Sequence, residues 1–161
     1  MSLINHRRRS DRWHGASQKV GQTAAPLFLD RIDIQCEITP VPFKDISKAA
    51  QGEPSAEIRK RVIRAREIQA ERFSGQKGIH CNAQMSERMI HQYAEPDEAG
   101  ISMLRMAMER LSLSARAYNR ILKVARTIAD LEGCEHVESH HLAEAIGYRT
   151  LDRGDWAERG L

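Results

Sequence analysis

The run Leu113–Leu131, LSARAYNRILKVARTIADL, constrains this chain most, because its apolar residues keep a single helical period. Tyr118, Ile121, Leu122, Ala125, Ile128 and Ala129 recur at steps of three and four, which predicts an amphipathic helix with one buried stripe. Ser114 stands where an N-cap belongs, its hydroxyl able to accept from a backbone N–H of the first turn. Gly133 supplies the stop. On the opposite face Arg116, Arg120 and Lys123 repeat at four and three. Cations near a helix N-terminus oppose its partial positive charge. The pattern therefore has two readings, a surface that receives an anion or the solvated polar face of a core helix.

The remainder fits a soluble globular protein. Of 161 residues, 41% are hydrophobic and 29% charged, enough for one domain with a proper core. Only 5% are aromatic, while Ala, Leu, Ile, Met, Arg and Glu abound, which leans towards helix. No run approaches the roughly 20 apolar residues of a membrane span, and the opening MSLINHRRRSDRWHG has no apolar core of a signal peptide. No membrane association is expected, and the expected compartment is the cytoplasm. Cys36, Cys81 and Cys134 are odd in number and far apart, which suits reduced thiols and argues against a disulfide framework or a CxxC metal site. The formal net charge of +3 is modest and mixed with acids, unlike the segregated surplus of a dedicated DNA-binding domain.

Residues 1–25 carry His6, Arg7, Arg8 and Arg9 but no apolar period, and are expected to be a disordered leader. The stretch Gly15–Thr23 does not meet the spacing of a phosphate loop. In LFLDRIDIQCEI, Leu27–Ile38, the residues Ile32, Ile34, Cys36 and Ile38 alternate with Asp33, Gln35 and Glu37, which predicts a strand with one buried face. Pro40 and Pro42 end it. A lone strand is unstable, so its partners are expected upstream in a longer protein. Pro54 suits a first helical turn, and Ser55–Phe73 reads as a helix with Ile58, Val62, Ala65 and Ile68 inward. Its many arginines are interleaved with Glu57, Glu67 and Glu71 and read as a salt-bridged outer face. Ser86–Tyr93 and Pro96–Leu111 follow as helices, the second with Ile101, Leu104, Met108 and Leu111 as its stripe and Asp97 and Glu98 in its first turn. A last helix spans Val137–Tyr148 with Leu142, Ala145 and Ile146 inward. The histidines His80, His91, His136 and His140 match no metal-site spacing, and no metal ligand is assigned.

Four stretches carry a resemblance: LDRIDI at Leu29–Ile34, SAEIRKRVIRAR from Ser55, the long helix through Gly133, and HLAEAIGYRTLDR at His141–Arg153. In that order they resemble the C-terminal part of magnesium-chelatase-like AAA+ ATPases, in the bacterial branch associated with competence and DNA recombination. The resemblance implies a mainly α fold, an AAA+ C-terminal helical lid bundle of about four helices preceded by one strand of the ATPase core. Residues 26–54 would be the end of that core, 55–150 the lid and 151–161 a tail. It also implies roles. Arg31 resembles the arginine finger, acting in trans on nucleotide held by a neighbouring subunit. Arg116 resembles the sensor-2 residue that contacts phosphate in its own subunit, which resolves the cation at a helix start in favour of an anion.

The implied cofactor is ATP, with Mg²⁺ bound by the upstream core. The implied partners are other copies of the chain in a ring, a hexamer, and DNA. No G-x-x-x-x-G-K-[ST] and no apolar run ending in Asp-Glu is present, so this chain alone is expected not to hydrolyse ATP. The resulting reading is an ATP-driven motor that remodels DNA by branch migration or helicase-like action. A magnesium chelatase ATPase subunit and a free-standing helical nucleic-acid- or protein-binding module stand as alternatives.

Overall fold

The computed structural model describes residues 31–36 and 52–149. The expected leader, most of the linker before Pro54, and the tail lie outside the described residues. Among the described residues there are five α-helices: α1, Ser55–Arg72; α2, Glu87–Tyr93; α3, Glu98–Leu111; α4, Ala115–Glu132; and α5, Ser139–Gly147. A single 3₁₀ turn, Asn82–Gln84, lies between α1 and α2. The helical bundle is thus as expected, each of its five helices falling where the sequence reading places one.

Helix α4 is the hub, packing against α1, α2, the 3₁₀ turn and α5, while α3 packs on α5. Its ends are where the sequence places them. Ser114 Oγ accepts from Ala117 N–H at 3.2 Å, and Gly133 turns left-handed at φ 78° to stop the helix. Ile121, Leu122, Ala125, Ile128 and Ala129 are buried, and Tyr118 is partly so. Around this stripe close Phe73 at the end of α1, Met89 and Ile90 of α2, Leu104 of α3 and Leu142 of α5. Burying an aliphatic side chain of this size is worth about 1.5–3 kcal/mol, so these contacts outweigh any intrinsic helix preference.

The other starts are also side-chain controlled. Ser86 caps α2, accepting from Met89 N–H, and Asp97 caps α3, accepting from Gly100 N–H at 2.8 Å. Asp97 is therefore the cap itself and Glu98 the first-turn acid. Between α3 and α4, Ser112 takes the left-handed conformation at φ 50°.

Two expectations are corrected. In α1 only Ala65 of the four expected inward residues is buried, joined by Gln69; Ile58 and Val62 remain 43% and 45% exposed. The C-terminal half of the helix reaches the core, and the N-terminal half extends past it. Of the expected strand Leu27–Ile38, the described part, residues 31–36, forms no strand, and the rest lies outside the described residues. Gln35 is the buried residue there and Ile34 is half exposed, the reverse of the predicted alternation. A period-two face buries itself only against a neighbouring sheet, and the described residues contain no strand. The segment instead lies on the helices, with Gln35 N–H donating to Tyr148 O at 3.1 Å.

Candidate functional site

The start of α4 gathers the residues singled out by sequence. Arg116 is exposed in the first turn, where no acidic residue accompanies it. One turn on, Arg120 is ion-paired with Asp33. Lys123 donates to the carbonyl of Ala83 at 2.9 Å, and burial, set against the Asp33 charge, holds its pKa below the ordinary lysine range. The three cations of one face thus divide. Arg120 and Lys123 hold other parts of the chain, and Arg116 is exposed at the capped N-terminus of the helix.

Arg31 is exposed as well. The segment that carries it is tied down on two sides: Asp33 pairs with Arg120, and Arg149 of the α5 end donates to Ile32 O. The structure therefore joins Arg31 to the helix bearing Arg116 through one ion pair, two residues from the first and one helical turn from the second.

A buried polar network lies farther along α4, and sequence reading did not anticipate it. Arg72, at the end of α1, donates to both carboxylate oxygens of Asp130, at 2.5 and 2.7 Å. Asn82 donates to the same carboxylate at 2.7 Å, and Arg126 Nε does so at 3.1 Å. Arg126 also caps the turn after α4, donating to Cys134 O and Glu135 O. Burial by itself would raise the Asp130 pKa, but the hydrogen bonds from Arg72 and Asn82 and the two guanidinium charges outweigh it and hold the carboxyl below its ordinary range. Burial conversely pushes Arg126 down against the pull of Asp130. The signal was present in the sequence. Tyr118, Leu122, Arg126 and Asp130 form one row of four-residue steps, so the apolar stripe runs directly into the charged pair.

A family model described as magnesium chelatase, subunit ChlI C-terminal, matches residues 52–149. The chain belongs to this family. It is 41% identical over 127 residues to competence protein ComM of Haemophilus influenzae, an alignment covering 78% of this chain and 24% of the relative. An uncharacterized protein YifB of Salmonella typhimurium is 42% identical with the same coverage. An uncharacterized protein of Mycobacterium tuberculosis H37Rv is 34% identical over 130 residues, 81% of this chain and 25% of the relative. The chain spans about a quarter of the length of the curated relatives it matches. The magnesium-chelatase-like AAA+ membership and the competence-associated branch expected from the sequence are thereby found.

The chelatase-family region contains Arg116, Arg120 and the whole Arg72–Asp130 network, while Arg31 precedes the matched span. It also contains the one three-ligand grouping among the described residues, Glu132, His140 and His141. Glu132 Oε2 lies 2.9 Å from His140 Nε2 and 3.2 Å from His141 Nε2. His141 Nδ1 accepts from Glu138 N–H at 2.9 Å, the reach-back half of a capping box at the start of α5. A neutral imidazole that accepts at Nδ1 carries its proton on Nε2, so His141 offers Glu132 a donor and leaves no lone pair for a metal. The grouping is an ion-paired helix cap. His136 and His140 are exposed.

Proposed function

We propose that this chain is the lid and arginine-finger portion of an ATP-driven ring motor that remodels DNA. The observation that carries the reading is Arg116, exposed in the acid-free first turn of the Ser114-capped α4. A triphosphate brought to that end meets a guanidinium and a helix N-terminus acting on the same anion. The residues fit such a ligand on this side only. ATP supplies the scissile phosphoanhydride, and its Mg²⁺ is assigned to acidic residues upstream of this chain. Arg31 is assigned to the pocket of a neighbouring copy in a hexameric ring, so that each nucleotide lies between two subunits.

The DNA assignment is supported by the likeness to a protein named for competence. A chelatase ATPase subunit is the second reading, favoured by the name of the matched family. Among the described residues no helix is long and apolar enough to cross a membrane, and the cytoplasm is the proposed compartment.

The test is a mixing experiment with the full-length protein. Arginines that stabilise transition-state charge are worth on the order of 10³–10⁵ in rate, so Arg31→Ala nearly abolishes hydrolysis while leaving nucleotide binding largely intact. Arg116→Ala weakens binding as well. Mixing Arg31→Ala subunits with subunits disabled in the upstream phosphate loop restores part of the activity, because some interfaces pair an intact pocket with an intact finger. Mixing Arg116→Ala subunits with the same partner restores nothing. Absence of rescue for Arg31→Ala in rings shown to be mixed overturns the assignment across the interface.

A further inference from the structure

We infer that Asp33 and Arg120 are positioning residues whose ion pair couples the two nucleotide pockets that one subunit touches. The inference rests on the proposed roles of Arg31 and Arg116 and adds the part that connects them. Arg120 lies one turn after Arg116 on the same helical face, an axial step of about 6 Å. Its guanidinium is paired with Asp33. From Asp33 to Arg31 is two residues, at most about 7 Å of extended chain. The Asp33 charge also acts on Lys123, one turn farther along α4. Two further anchors of the segment, Arg149 to Ile32 O and Gln35 N–H to Tyr148 O, reach the end of α5.

The consequence is mechanical. A nucleotide that draws Arg116 and the start of α4 towards itself moves Arg120, and Arg120 carries Asp33 and hence Arg31, which faces the neighbour's pocket. Occupancy of one site is thereby passed to the finger serving the next. The side chain of Arg120 is 24% exposed and that of Asp33 52%, so the pair is partly solvated and contributes little to folding. Its variants keep the fold, and a large functional loss on breaking it has to come through position.

The experiment compares, in the full-length protein, Asp33→Asn, Arg120→Gln and the exchanged pair Asp33→Arg with Arg120→Asp. The readouts are kcat, the steepness of rate against ATP concentration, and the affinity for a fluorescent ATP analogue. Misplacing a catalytic group by an ångström costs up to about 100-fold, so each single variant is expected to lose roughly ten- to a hundredfold in kcat. It also loses the steepness, while analogue affinity changes by less than about twofold, within the small worth of such a pair. The exchanged pair regains steepness. Wild-type kcat and steepness in both single variants overturn the inference, as does an exchanged pair no better than either single. Arg31→Ala runs beside them. If it abolishes hydrolysis while the pair variants behave as wild type, the coupling alone falls; if it hydrolyses normally, the finger assignment falls and the coupling with it.

Discussion

Arg72 closes a two-pronged ion pair on Asp130, a residue 58 positions farther along the chain, and does so with Asp130 fully buried. The first helix of the domain is thus fastened to the fourth by charge as well as by apolar packing. Two cations, Arg72 and Arg126, share the one anion, with Asn82 filling a remaining lone pair. Removing either partner of such a pair strands buried charge, and the loss exceeds what the intact pair contributes.

Asp130→Asn is therefore expected to cost about 3–5 kcal/mol of folding free energy, measured by urea unfolding at neutral pH. Its folded-state pKa lies below the unfolded one, so its stabilising contribution is fully present above the unfolded carboxylate value and is lost as pH falls through the folded value. The variant should lack that acid limb in a plot of stability against pH. A loss under about 1 kcal/mol, the worth of an exposed pair, contradicts the reading.

Gly100 of α3 lies against Leu142 of α5. A Cβ there would lie 2.6 Å from Leu142 Cδ1 and 2.7 Å from Pro96 Cβ. Gly100→Ala, which gains about 1 kcal/mol in an exposed helix, is expected to destabilise here, because overpacking costs about 1–3 kcal/mol. Adding Leu142→Ala should make the alanine at 100 less harmful than it is alone, a non-additivity visible in a double-mutant cycle.

Much of the bundle was legible in the sequence because its signals are local. The cap at Ser114, the stop at Gly133 and the period between them need no knowledge of the rest of the chain. The misread parts depend on partners. Ile58 and Val62 show the same period as Ala65, yet only the second half of α1 meets α4. Ile34 alternates like a strand residue, but alternation says nothing of whether a sheet is present. Arg126 and Asp130 escaped because charged residues default to the surface, and their burial depends on Arg72 and Asn82 arriving from elsewhere. Arg116 was legible as an oddity, and Arg31 through resemblance alone; their connection through Asp33 and Arg120 exists only in three dimensions.

The hydrogen bond to Glu132 raises the pKa of His140 above the ordinary histidine value, against the opposing effect of desolvation, and the same bond lowers that of Glu132. His140 then stabilises the fold below its unfolded value of about 6.5 and ceases to as pH rises through the folded value; Glu132 stabilises above about 4.3 and ceases to as pH falls through its own. The pair contributes most between those limits. Proton NMR should show His140 titrating above an unstructured histidine, and moving back towards the ordinary value in Glu132→Gln, with Glu138 and Glu144 still holding it up. An unchanged His140 titration in that variant contradicts the pairing.

The isolated chain is expected to bind ATP weakly and to release no phosphate. Binding should weaken further in Arg116→Ala and fall with added salt, since it rests on a solvent-side cation. Sustained, magnesium-dependent hydrolysis by this chain contradicts the assignment of the remaining machinery to the upstream region.

Helix α1 is a helix of unequal halves. Residues 64–72 are sealed by Ala65, Gln69 and the Arg72 pair, whereas residues 55–63 leave Ile58, Val62 and Ile63 in water. A nine-residue helix is marginal by itself, so the first half persists only as an extension of the second. Tension entering at Pro54 peels those turns before it reaches the ion pair. Their unwinding releases roughly 16 Å of chain, the difference between extended and helical rise over nine residues. The start of α1 is a built-in slack line: the domain can yield by that length under load while its core stays shut.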